Sequence, residues 1–140
     1  MTTLTTPFMI WNDTWNVGVR QVDAQHQNLV SLLNQLHEAR NQGKGADELG
    51  GILDKLVHYT QAHFSAEETL MEQAGYPDLI AHKRQHVLLA EKVVKFQATF
   101  KEGGCVLTGE IMKFLSTWLQ THICETDKKY VPYLHARGVR

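Results

Sequence analysis

The chain has 140 residues and a formal net charge of −1, with fourteen Lys and Arg against fifteen Asp and Glu. No general electrostatic attraction therefore draws it to nucleic acid or to an anionic membrane surface. The length suits one domain with a real core, and three prolines without a low-complexity run suit an all-helical protein.

The opening MTTLTTPFMIWNDTW has neither a basic n-region nor a continuous apolar h-region. Nowhere do about 18 apolar residues run uninterrupted. The expectation is a cytoplasmic protein with no signal peptide and no membrane insertion. Cys105 and Cys124 form neither a CxxC pair nor a disulfide framework, which predicts two reduced thiols. Eight histidines are the anomaly of this composition.

A single domain, 1–140, divides into an arm over 1–22 and a bundle over 23–135. The arm carries Trp11, Trp15 and Val17-Gly18-Val19 without a helical period, and its aromatics are expected to cover one end of the core. The first helix is predicted from about Asp23, a good N-cap, to about Asn41, with Leu29, Leu32, Leu33 and Leu36 as its apolar stripe. His26 lies one turn before that stripe. The second helix runs from about Asp47 to Ala74 and ends at Gly75-Tyr76-Pro77-Asp78, where Gly suits the C′ position and Pro cannot continue a helix. The third runs from about Asp78 to Lys101 on a stripe of Leu79, Val87, Leu89, Val93, Phe96 and Phe100. The fourth opens near Thr108 as N-cap and reaches about Leu134. Short connections make neighbouring helices antiparallel, giving an all-α, up-down-up-down four-helix bundle.

Each helix can aim ligands inward. His63 and Glu67 are four apart, as are His82 and His86, so each pair projects from one face of its helix. His26 joins from the first helix, and His122 with Asp127 from the fourth. Five imidazoles and two carboxylates exceed what one four-coordinate zinc uses. Imidazole suits iron, zinc, copper and nickel, and a carboxylate can bridge two cations. A dinuclear site is the natural count. With both carboxylates and one solvent oxygen bridging two octahedral metals, one coordination place stays open, because the histidines are odd in number.

The five-residue spacing from His122 to Asp127 rotates about 140° on a regular helix, so both reach one site only through a local widening or bend. An irregularity is predicted between Ile123 and Thr126. His37, His58 and His135 have no partner at ligand spacing and are expected on the surface, with Glu68 and Glu72 facing solvent and Met71 in the core.

These residues resemble the bacterial hemerythrin (bacteriohemerythrin) family over nearly the whole chain, from Trp11 to Tyr133. The resemblance rests on Asp23-Ala24-Gln25-His26-Gln27-Asn28-Leu29, on His63-Phe64-Ser65-Ala66-Glu67-Glu68-Thr69-Leu70-Met71, and on Gly75-Tyr76-Pro77 followed by His82 and His86. It ends in Trp118-Leu119-Gln120-Thr121-His122-Ile123 through Asp127 to Tyr130. Myohemerythrin, of the same superfamily, is an up-down bundle. The resemblance implies two non-haem irons bridged by Glu67, Asp127 and an oxo or hydroxo group. His82, His86 and His122 would hold one iron, and His26 and His63 the other. It also implies reversible O2 binding at the open iron, for oxygen storage, transport or delivery, with no enzymatic activity. Leu29, Phe64 and Leu119 flank the ligands by helical offset and would form an apolar O2 pocket without an acid to drive O–O cleavage.

Other readings use the same or similar residues. O2 or redox sensing, or peroxide and iron detoxification, could operate at the same ligands. A structural zinc bundle is a further alternative. Ferritin-like di-iron enzymes use ExxH pairs, and none of the nine glutamates has His three residues later. The partners expected are O2 and an oxygen-consuming acceptor protein, on a monomeric chain.

Overall fold

Glycine punctuates the helices. Gly75 takes φ 70°, and the N–H of Tyr76 returns to the carbonyl of Met71 at 3.0 Å, closing the second helix with a left-handed cap. Gly43 does the same after the first helix, with the N–H of Lys44 on the carbonyl of Ala39. The computed structural model describes residues 8–103 and 109–140. The expected Thr108 cap, Cys105 and the first seven residues of the arm lie outside that range.

The helices are α1 (Arg20–Asn41), α2 (Ala46–Ala74), α3 (Leu79–Lys101), α4 (Gly109–Thr121) and α5 (Val131–Ala136). Between α4 and α5 lie a π-helical segment, His122–Thr126, and a 3-10 turn, Asp127–Lys129. The fold is an all-helical four-helix bundle, with no strand among the described residues. α1 with α2, and α2 with α3, form its most extensive packing.

Two expectations need correction. Asp23 does not cap α1, which starts at Arg20 behind Val19. The Asp23 carboxylate instead reaches back from the first turn and accepts the N–H groups of Val17 at 2.7 Å and Gly18 at 3.2 Å. It ties the arm to the bundle, a use of Asp that helix propensity cannot distinguish from capping. Val87 is 55% exposed, not part of the buried stripe. α3 is apolar on more than one face, so its pattern does not single out the side that turns inward.

The described part of the arm is held by its own polar contacts. Asn12 accepts the N–H of Thr14 and starts a 3-10 turn over Asp13–Trp15. Asn34 on α1 exchanges two hydrogen bonds with the backbone of Met9, at 2.7 and 2.8 Å. Trp15 is buried and meets Trp11 edge to face.

The apolar interior falls into two clusters. One holds Trp15, Leu29, Leu33, Leu36, Phe64, Leu119 and Ile123 among others. The other holds Val22, Met71, Ala74, Tyr76, Tyr130 and Leu134. Along α1 the order is Val22, His26, Leu29; along α2 it is Phe64, Glu67, Met71; from α4 onward it is Leu119, His122, Asp127, Tyr130. In every case the polar residues separate the clusters, so a polar layer crosses the bundle between two dry ones.

Candidate metal centre

That layer contains all seven side chains singled out by spacing. His26, Glu67 and Asp127 are 0% exposed, His63 1%, His86 and His122 2%, and His82 5%. Burial of this much polar surface is costly unless each group is paired or holds a metal. The one-turn spacing of α2 delivers His63 and Glu67, and that of α3 delivers His82 and His86. The π segment delivers the last pair. It spans His122–Thr126, the predicted irregularity, and its extra residue brings Asp127 back to the face of His122.

The carboxylates sit at the centre. His122 Nε2 is 2.9 Å from Glu67 Oε1 and 2.9 Å from Asp127 Oδ2. His26 Nε2 is 2.6 Å from Asp127 Oδ2, and His82 Nε2 is 3.3 Å from Asp127 Oδ1. His63 Nε2 contacts the carboxylate of Glu67. Ligand atoms within 4.8 Å of one another form two overlapping groups: His26, His63, Glu67, His122 and Asp127, and Glu67, His82, His86 and Asp127. Glu67 and Asp127 belong to both. The His122 ring lies 5.4 to 6.2 Å from those of the other four histidines, amid them all.

Several atoms aimed into this centre have no hydrogen-bond partner: Glu67 Oε2, Asp127 Oδ1 and the Nε2 atoms of His63, His82 and His86. Each such orphan costs on the order of 1–3 kcal/mol. Lone pairs of nitrogen and oxygen converging from four sides are what a cation satisfies, so the residues present fit metal. The donor set, rich in imidazole with two shared carboxylates, fits non-haem iron.

Two residues that spacing did not reveal orient imidazoles of this layer. His63 donates its Nδ1–H to Gln25 Oε1 at 2.6 Å, and His86 donates its Nδ1–H to Glu68 Oε2 at 3.2 Å. Each bond leaves Nε2 as the free lone pair and raises its basicity. Glu68 therefore does not simply face solvent. Both lie beside a residue of the layer in sequence, at 25 next to His26 and at 68 next to Glu67, and helical spacing leaves no trace of them. His135, expected at the surface, meets the carbonyl of Gly18 at 2.9 Å through Nε2. His58 is exposed, and His37 stacks on Phe8.

Electrostatics follows from burial and from the two acids. Burial pushes His82 down to about 4 and His86 to about 3. Burial works against charge on His122 too, but Asp127 and Glu67 outweigh it and hold His122 up at about 10. Burial, with Glu67 beside it, raises Asp127 well above the usual carboxylate range.

Leu29, Phe64 and Leu119 are 0%, 4% and 1% exposed and belong to one apolar cluster. The Phe64 ring stacks on His86 at 3.8 Å and 3°, and lies 5.2 Å from His122. Tyr130 lies in the opposite cluster with an unpartnered hydroxyl. Burial, with the charges of Glu67 and Asp127, keeps that phenol well above its ordinary value.

Comparison with known proteins points the same way. The profile of a family described as "Hemerythrin HHE cation binding domain" matches residues 17–134. The chain is 37% identical to a bacteriohemerythrin of Stenotrophomonas maltophilia over 128 residues, covering 91% of this chain and 82% of that one. It is 40% identical to a bacteriohemerythrin of Pseudomonas aeruginosa over 123 residues, covering 88% and 79%. Its fold superposes on the crystal structure of a wild-type hemerythrin with a TM-score of 0.86 at 34% identity, covering 91% of this chain and 98% of that chain.

Proposed function

The chain belongs to the hemerythrin family, and from that premise we propose that it binds O2 reversibly at a non-haem di-iron centre, serving oxygen storage, transport or delivery. The observation that carries this reading is the pair of overlapping ligand groups that share Glu67 and Asp127. When bound, the iron pair supplies the electrons and the open coordination place that O2 requires.

The chain's own residues do the rest. Glu67 and Asp127, which belong to both ligand groups, would hold the two metals between them. His82 and His86 would hold one iron, and His26 and His63 the other; the family resemblance gives His122 to the first, although its ligand atom clusters with those of His26 and His63 and its ring lies amid all four. Gln25 and Glu68 hold two of the imidazoles in the tautomer that presents Nε2. Leu29, Phe64 and Leu119 would form a dry wall that keeps water and acid out of the site and disfavours the release of charged species. Tyr130, the buried hydroxyl of the layer, belongs to the cluster on the far side from that wall. The site is thus furnished to hold O2 and not to cleave it.

The test is to reduce the iron-loaded protein without oxygen and follow its visible spectrum through repeated admission and removal of the gas. An absorption band that appears and vanishes over several cycles is the expected result. Irreversible oxidation on first contact contradicts the carrier reading and turns it toward sensing or detoxification at the same ligands.

A further inference from the structure

α3 turns His82, His86, Val93 and Phe100 inward. Its outer side carries a second apolar line. Ile80, Val87 and Val94 are 76%, 55% and 38% exposed, and they recur every seven residues. Seven residues fall about 20° short of two full turns, so the three side chains stand in one row about 21 Å long. Exposed apolar residues scattered singly are ordinary, but a row of β-branched side chains along one helix is not. Arg84 and Glu91 complete the row, one turn to either side of Val87. Both are exposed, and neither forms an ion pair among the described residues.

The order of these residues selects what would cover them. From Val87 outward, a charge stands one turn away and an apolar residue two turns away, in either direction. The two charges have opposite sign. Turned end over end about an axis through Val87, the row therefore meets its own complement. Val87 lies on the partner's Val87, Ile80 on the partner's Val94, and Arg84 on the partner's Glu91, with the last two contacts made twice. That is the self-complementarity of an isologous interface. Two parallel helices in register would instead set Arg84 on Arg84 and Glu91 on Glu91. The flanks agree with the antiparallel arrangement. Lys83 comes opposite Ala90 and Lys95 opposite Ala81, so each lysine stem crosses an alanine and no two cations face each other. Lys92 leans away, over the Phe114 ring of α4.

We propose that the outer row of α3 is the contact face of a two-fold symmetric, antiparallel dimer of this chain, in place of the monomer expected from the sequence. One helix row is smaller than a standard interface, so the dimer is weak, with a dissociation constant on the order of 10–100 μM. The row lies on the side of α3 away from His82 and His86, and the pairing does not depend on which metal they hold.

Sedimentation velocity of the iron-loaded full chain, over a concentration series bracketing that range, should show a reversible monomer–dimer equilibrium. Val87→Asp puts two carboxylates on the axis and abolishes it. Arg84→Glu sets like charges together at both symmetric contacts and weakens association roughly tenfold or more. Adding Glu91→Arg to Arg84→Glu restores the original affinity, a rescue that general stickiness of an apolar face does not give. Ile10→Asp, at a 59% exposed apolar position on the arm, leaves association unchanged. All four positions are exposed, so each variant is checked for unchanged helical circular dichroism. A monomer at millimolar concentration, undiminished association in Val87→Asp, or a double exchange as weak as Arg84→Glu alone would overturn the proposal. Dissociation caused by Ile10→Asp would overturn it too, by moving the contact to the arm.

Discussion

His122 and Asp127 are five residues apart in sequence, and His122 Nε2 lies 2.9 Å from Asp127 Oδ2. A regular helix would turn one of them away. The π segment between them absorbs the extra residue and points both into the same layer. The distortion is therefore what brings Asp127 into the buried polar layer beside His122.

If Asp127 is shared by both ligand groups, losing its carboxylate should empty more than one place. Asp127→Asn keeps the size of the side chain but removes the charge and one hard oxygen. Iron per chain, measured by elemental analysis, should fall from two to one or fewer, with helical content retained. Full iron loading in this variant would show that Asp127 does not bridge.

Gln25 and Glu68 should matter without touching metal. Gln25→Ala removes the acceptor of the His63 Nδ1–H, and Glu68→Ala that of His86. Each should lower iron affinity by about 10–100-fold in chelator competition, the usual effect of removing such a partner. Gln25→Glu, which keeps an acceptor, should retain most of it.

Most of the buried polar layer was legible because one-turn spacing leaves a periodic trace. His63 with Glu67, His82 with His86, the glycine turn at Gly75 and the strain implied by His122 and Asp127 all follow from helix geometry. What was not legible depends on neighbours from elsewhere in the chain. Glu68 reads as a solvent-facing residue until α3 brings His86 alongside it. Asp23 reads as a cap until the arm folds back over it. Val87 reads as core until the orientation of α3 is fixed by its partners, and no pattern within α3 fixes it.

Removing the metal should weaken the fold, because a ligand that binds only the native state stabilises it, by about 2.7 kcal/mol at a hundredfold excess over its dissociation constant. The metal-free protein should also show its own pH profile. His82 and His86 titrate near 4 and 3 when folded and near 6.5 when unfolded, so the unfolded chain takes up protons first. Stability should decline as pH falls below about 6.5 toward those values. His122 has the opposite sign. Held at about 10, it contributes fully below about 6.5 and loses that contribution as pH rises toward 10. Urea midpoints of the chelated protein between pH 4 and 10 should therefore peak near neutrality. A profile rising steadily toward acid would contradict the burial of neutral imidazoles.

The apolar wall should control how long the oxygenated form survives. Leu29 is fully buried, so Leu29→Ala costs about 2–5 kcal/mol through the cavity it leaves. Leu29→Ser leaves a similar cavity but adds a hydroxyl and invites water. Measured in parallel, Leu29→Ser should oxidise irreversibly faster than Leu29→Ala, with the difference between them reporting polarity and not space. Equal rates would remove dryness as the protective feature.

The central claim is that seven buried side chains hold two metal ions between them. X-ray diffraction from crystals of the iron-loaded protein, collected on either side of the iron absorption edge, tests it most directly. The account predicts two anomalous peaks, both within bonding distance of the Glu67 and Asp127 carboxylates, with His26 and His63 on one and His82, His86 and His122 on the other. A single peak, or two peaks without a shared carboxylate, would contradict it.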